Sequence, residues 1–269
     1  SVPFFNYGGP VSAFKDVEEA LLLELQNQAR SLKLKHIEVR MTHPVADYPA
    51  STKKVSMIRP LPAGEAILND EIGAKVRAQV NKGSSYNLTV KFGTTELLGD
   101  FYHVFSRNMR DLGTPVYQEQ WFATLLDELG GSAEIGVVYK DAYPVSACFL
   151  IRYHDMVEIP WASTLREANS LNANMWMYYQ VLARSIEQKA KWFDFGRSTR
   201  DAGTYKFKRQ WGAEPVQHYW YTVTQNGVEE GGGGLNPDNP KYKLAIAVWQ
   251  KTPLAIVNRI GPFIAKYLP

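Results

Sequence analysis

Three observations predict a mixed α/β protein whose sheet has an antiparallel centre. Short segments of apolar–polar alternation recur along the chain, and EIGVVYK, VSACFLIRY and MVEIPWAS follow one another across tight turns. A long helical segment, Asn172 to Lys189, comes next and leads into another strand, WFDFG. Three hairpin-linked strands followed by a crossover helix argue against a doubly wound parallel sheet.

The elements can be justified in order. Val17, Leu21, Leu25 and Ala29 recur every four residues and predict an amphipathic helix over Asp16 to Lys33. HIEVRM alternates as a half-buried strand, and VSMI is a short strand closed by Arg59-Pro60. Glu65 to Asn81 reads as one helix, with Ile67, Ile72 and Val76 on one side and Lys75, Arg77 and Lys82 on another. Gly83-Ser84-Ser85 then breaks the chain. Leu88, Val90 and Phe92 mark a strand, and Leu97, Phe101, Val104, Phe105 and Met109 line one face of a helix. Gly113-Thr114-Pro115 should stop that helix. A short helix over Gln118 to Leu129 precedes the three central strands. After WFDFG, a short helix over Thr204 to Trp211 and the strand HYWYTV complete the pattern.

The expected organisation is a first unit over residues 1–85, a second over 86–225, and a glycine-rich joint with an apolar arm over 226–269. The chain opens on SVPFFNYGGP, on an apolar strand with no Met and no secretory pattern, so a preceding segment is expected. The arm, Leu244 to Leu268, mixes Trp249, Phe263 and Tyr267 with Lys251, Arg259 and Lys266. It reads either as an arm packed on the domains or as an interfacial anchor at a membrane surface.

Composition bounds the function. With 269 residues the prior is about two domains. Thirty Lys and Arg against 27 Asp and Glu leave a net charge of +3, too balanced for a protein that coats DNA. The single Cys148, in VSACFL, should be a buried inert thiol and suits a reducing, cytoplasmic setting. No apolar run reaches about 18 residues, so no spanning helix is expected. The five histidines, His36, His43, His103, His154 and His218, are scattered, and no metal site is expected. Phosphate-loop, dinucleotide, zinc-protease and serine-hydrolase motifs are all missing.

The segment DFGRSTRDAGTYKFKRQWG, residues 194–212, stands out. Arg197, Arg200, Lys206, Lys208 and Arg209 put five cations in 13 positions, interleaved with Tyr205, Phe207 and Trp211. This is either a solvated basic face or an anion site at a helix N-terminus. Arg107, Asn108 and Arg110 on one helix, with Trp161 and Arg166 opposite, could line a polar pocket or simply pair with nearby carboxylates such as Asp111.

NYGGP, KVRAQVNKG, NMRDLGTPVY, DFGRS and GTYKFKRQWGAEP, in this order, resemble the FemAB/FemX group of aminoacyl- and acyltransferases. NMRDLGTPVY together with LNPDNPKY is similar to the FemAB-like proteins of exosortase (PEP-CTERM) systems. The resemblance implies tandem GNAT-like acyltransferase domains, the first N-terminally incomplete. It implies transfer of an aminoacyl or acyl group to an amine of a small or lipid-linked cell-envelope or exopolysaccharide precursor. The donor would be aminoacyl-tRNA or acyl-CoA, with no tightly bound cofactor, and contact with the inner membrane surface would be peripheral. It carries a Phe-Lys pair beside the reacting ester onto Phe207 and Lys208; Arg197 and Tyr205 in the same basic segment are candidate substrate contacts. It carries precursor-side contacts onto Asn6, Tyr7, Gly8, Lys75 and Arg77. Two other readings stay open: an acetyl-CoA-dependent N-acetyltransferase and a catalytically silent binding module of an export system. The acetyl-CoA family usually cradles pyrophosphate in a glycine-containing loop before its long helix, and TLREANSLNAN has no glycine.

Overall fold

The computed structural model describes residues 5–45, 47–231 and 240–266. Gly232-Gly233-Gly234, most of LNPDNPKY, Tyr267 and Leu268 lie outside the described residues.

The elements in chain order are α1 (Lys15–Ser31), β1 (Ile37–Met41), β2 (Lys54–Pro60), α2 (Glu65–Glu71), α3 (Ala74–Ser84), β3 (Leu88–Gly93), α4 (Leu98–Leu112), α5 (Glu119–Leu129), β4 (Ala133–Lys140), β5 (Tyr143–Tyr153), β6 (Met156–Thr164), α6 (Ala173–Glu187), β7 (Trp192–Thr199), α7 (Gly203–Arg209), β8 (Glu214–Gln217), β9 (Tyr219–Val223), β10 (Val228–Glu230), α8 (Pro240–Lys251) and α9 (Leu254–Ala265). Seven strands form one sheet in the order β3-β4-β5-β6-β7-β2-β8, and β1-β9-β10 form a second. In the large sheet only β6 and β7 run parallel.

Helices cover both faces of the large sheet, as a sheet buried on both sides requires. One core gathers α2, α3, α6 and α7 side chains around Phe193, Phe195, Trp176, Tyr178 and Trp211. The other gathers α4 and α5 around Phe101, Phe105, Phe122, Phe149 and Trp161. Cys148 is fully buried, and that burial pushes its thiol up to about 12.

Several expectations are corrected. The helix expected over Glu65 to Asn81 is two helices, because the chain turns extended at Ile72 and Gly73. On α1 the inward residues are Leu22 and Ala29, with Glu18 held by His43 at 2.9 Å; Val17 and Leu21 are exposed. The Glu214–Gln217 strand is additional to the sequence pattern, since EPVQ is too short to show alternation. The boundary expected at residue 85 does not separate the sheets, because β2 lies between β7 and β8 in the large one. Residues 228–230, expected in a joint, pair with β9.

Gly113 ends α4 with φ +80°, and Thr114 N–H returns to the Met109 carbonyl at 2.9 Å. A Cβ at Gly113 would overlap the Ile246 side chain of α8. Gly113→Ala should therefore cost about 2 kcal/mol, combining the left-handed backbone penalty with displaced packing, or roughly 4–8 °C in Tm. Thermal unfolding checks this, and an unchanged Tm would contradict both the left-handed cap and the α8 contact at Gly113.

Candidate active site

The parallel ladder between β6 and β7 is short. It pairs Met156 with Trp192, Val157 with Phe193 and Glu158 with Asp194, and then stops. Beyond that point β6 continues along β5 to Thr164, and β7 continues along β2 to Thr199. The sheet splays into a wedge, and two carboxylates sit side by side at its base.

Local backbone chemistry aims further side chains there. The β2–β7 register slips by one residue, so that Ser56 faces Arg197 while Ile58 faces Asp194. Gly196 supplies the extra residue with φ +78°, a conformation that favours glycine. In a regular strand residues 194 and 197 would point to opposite faces. The bulge turns both toward the wedge.

Asp194 is fully buried, and its carboxylate accepts from the Gly196 N–H at 2.7 Å and the Tyr7 hydroxyl at 2.8 Å. Burial raises its pKa while these hydrogen bonds and Lys208 oppose the rise. Glu158 accepts from Asn6 Nδ2 at 2.8 Å. Burial, then the neighbouring Asp194 charge, raises it to about 7. Lys208 reaches from α7 and donates to the carbonyls of Gly196 at 3.0 Å and Arg197 at 2.9 Å. Burial lowers its ammonium to about 8, against the pull of Asp194. An ammonium has three N–H groups, so one remains after these two bonds.

Behind the carboxylates runs a hydrogen-bond chain. Trp220 Nε1–H meets His218 Nδ1 at 3.2 Å, and His218 Nε2 meets Ser56 Oγ at 3.0 Å. Ser56 in turn contacts the Tyr7 hydroxyl. The Trp220 donor fixes the tautomer that protonates His218 Nε2. Burial, with Arg197 and Arg40 nearby, lowers His218 to about 4 and keeps it neutral at ordinary pH. Both guanidiniums lie over the Trp220 ring, Arg40 at 4.5 Å and Arg197 at 5.0 Å. His218 joins β8 to β9, so this chain occupies the seam between the two sheets.

Of the residues singled out in the sequence, Lys208, Arg197, Asn6, Tyr7 and Gly8 are brought together. Gly8 pairs its backbone with Arg40. Trp161 walls the neighbourhood, edge-on to Phe5 at 5.9 Å and Tyr117 at 6.2 Å. Phe207 instead packs edge-on to Tyr178 at 5.1 Å, and Tyr205 packs on the same core. The arginine pocket resolves into ion pairs. Arg107 binds Glu167 at 2.9 Å, Arg110 binds Asp111 at 2.7 Å, and Arg166 lies beside Asp111. Asn108 contacts Ser163. Lys75 and Lys82 are exposed on α3, which packs on α6, and Arg77 donates to the Asn69 carbonyl.

The basic run of residues 197–209 does not act as one patch. Lys206 is exposed, Arg209 pairs with Glu214, Arg200 meets Gln217, and Lys208 is buried. α7 has only seven residues, too short to serve as an anion-binding helix N-terminus. Glu158, Asp194, Ser56, His218 and Arg40 were not singled out. The available signals were a lone acid in the alternating MVEIPWAS and an acid two residues before a strand glycine in DFGRS.

A family described as "Acetyltransferase (GNAT) domain" matches residues 74–209. The fold is similar to a crystal structure of FemX, with TM-score 0.64, 16% identity, and coverage of 84% of this chain and 83% of that one. It is also similar to a C-terminal domain attributed to a lysylphosphatidylglycerol synthetase from Agrobacterium fabrum, with TM-score 0.61, 12% identity, and coverage of 80% and 75%. For L-PGS from Bacillus licheniformis the values are 0.53, 12%, 90% and 79%. No curated protein sequence matches the chain. The splayed sheet and the matched segment that contains its wedge lead to one conclusion: the chain belongs to the GNAT acetyltransferase domain family.

Proposed function

We propose that this chain is a FemAB-like transferase that moves an aminoacyl or acyl group onto an amine of a cell-envelope or exopolysaccharide precursor. The observation that carries the reading is the wedge base, where Glu158, Asp194 and the Lys208 ammonium converge behind a splayed ladder. A group titrating near 7 is matched to taking a proton from an attacking amine at neutral pH. The amine nitrogen bonds to the donor's carbonyl carbon and gives up a proton to Glu158. The bond to the donor's leaving oxygen or sulfur then breaks, and that atom leaves with the proton. The remaining Lys208 N–H would stabilise the oxyanion between these steps. Asn6 and Tyr7 position the two carboxylates.

The pyrophosphate-cradle position disfavours the acetyl-CoA alternative. Arg166–Leu171 there is a tight 3₁₀ turn without glycine, and Arg166 is turned toward Asp111. A label-transfer assay discriminates the readings, using aminoacyl-tRNA or acetyl-CoA as donor and amine-bearing envelope precursors as acceptors. Transfer from aminoacyl-tRNA is the expected result. Transfer from acetyl-CoA alone would assign the N-acetyltransferase. Retention of a precursor without any transfer would assign the silent binding module.

A further inference from the structure

α9 is docked the wrong way round for an arm whose only role is packing. Its inward row is Val257, Gly261 and Ala265, all buried, and Gly261 lies against the Val116 backbone. Its large apolar side chains, Ile256, Ile260, Phe263 and Ile264, are 38–61% exposed. They recur at helical spacing and form one outward stripe. α8 repeats the pattern, with Ile246 against Gly113 while Leu244 and Val248 are 72% and 60% exposed. A helix held only by its core contacts would bury its largest apolar groups.

The charges on this arm all have one sign. From Lys241 onward the sequence holds five cations and no Asp or Glu. Arg259 and Lys266 lie three positions from Ile256 and Phe263, on the border of the stripe, and the Lys266 ammonium is 5.9 Å from the Phe263 ring centroid. Long basic side chains beside an apolar stripe reach phosphate groups while the stripe enters the acyl boundary. No described helix is long and apolar enough to cross a membrane.

We infer that the outward face of α8 and α9 is a docking surface for an anionic lipid bilayer. The apolar stripe seats at the headgroup–acyl boundary, and the cations pair with lipid phosphates. The surface adjoins the candidate site. Phe263 and Lys266 share a groove with Tyr117 and Trp121, and Tyr117 packs on Trp161 at the site's aromatic wall. A lipid-linked substrate would thus be presented within a few side chains of the wedge.

Vesicle co-sedimentation of the full chain tests this independently of transfer activity. Binding to vesicles containing phosphatidylglycerol is expected at low salt and should weaken as salt rises. Pure phosphatidylcholine should bind far less. Ile256→Ser, Ile260→Ser and Phe263→Ser combined should cut binding at least tenfold while the chain stays folded with only a modest fall in Tm, because about half or more of each side chain is already in water. Arg259→Gln and Lys251→Gln should each cost about fivefold at low salt. Absent binding at low salt, equal binding to neutral vesicles, or binding indifferent to the triple variant would overturn the inference. So would a dimer in sedimentation velocity that the triple variant abolishes, since the face would then belong to a second copy.

Discussion

Lys208→Met is expected to lower kcat by about a hundredfold or more, while Lys206→Met changes it little. The two lysines lie two positions apart on α7, so they point about 200° from each other. Lys206 is exposed, whereas Lys208 is 8% exposed and reaches the base of the wedge. Methionine keeps much of the stem's volume and removes the charge. It also leaves the Gly196 and Arg197 carbonyls without the donor they have now, so a stability cost of about 1–3 kcal/mol accompanies the change. Steady-state kinetics well below the lowered Tm separates the two effects. Equal losses from both variants, or full activity in Lys208→Met, would show that the buried ammonium has no part in the reaction.

Glu158→Gln should cost about a hundredfold or more in kcat and change the pH profile. The base must be ionised and the ammonium protonated. Activity should rise as pH passes about 7 and fall as it passes about 8, giving a narrow bell. The acid limb should vanish in Glu158→Gln, because glutamine does not titrate. Persistence of that limb would move the base to Asp194, since coupled carboxylates share their titration steps. Stability should move the other way. A carboxyl raised above its ordinary value favours folding while protonated, and this contribution fades as pH rises through about 7. Glu158→Gln should therefore unfold at a higher Tm than the parent above pH 7.

The elements legible in the sequence were those with a strong local signal. The central hairpins, α4 with its glycine stop, and α6 all carry their periodicity in one stretch. Lys208, Arg197, Asn6 and Tyr7 were reachable through the motifs that contain them. Ser56, His218 and Arg40 were not, because a serine in VSMI or a histidine before a strand acquires meaning only from partners more than a hundred residues away. The α1 stripe misled because four-residue spacing drifts around a helix of 3.6 residues per turn, and the row that faces inward includes Leu22. The arginines at 107, 110 and 166 fit either a pocket or plain ion pairs in the sequence, and only the distances to Asp111 and Glu167 decide for the pairs.

The place of β2 has a consequence for the order in which the molecule can assemble. β2 is made early, yet both its neighbours, β7 and β8, lie more than 130 positions later, as in the pairing of Val55 with Ser198 and with Gln217. During N-to-C synthesis this strand must wait for its first ladder until residue 199 has left the ribosome, and for its second until residue 217. Closing so long a loop carries an entropic penalty that only the finished sheet offsets. Ser56 on that strand also links His218 to Tyr7, whose hydroxyl donates to Asp194. The buried acid and ammonium are therefore enclosed at the last stage of folding, and until then their charges remain in water.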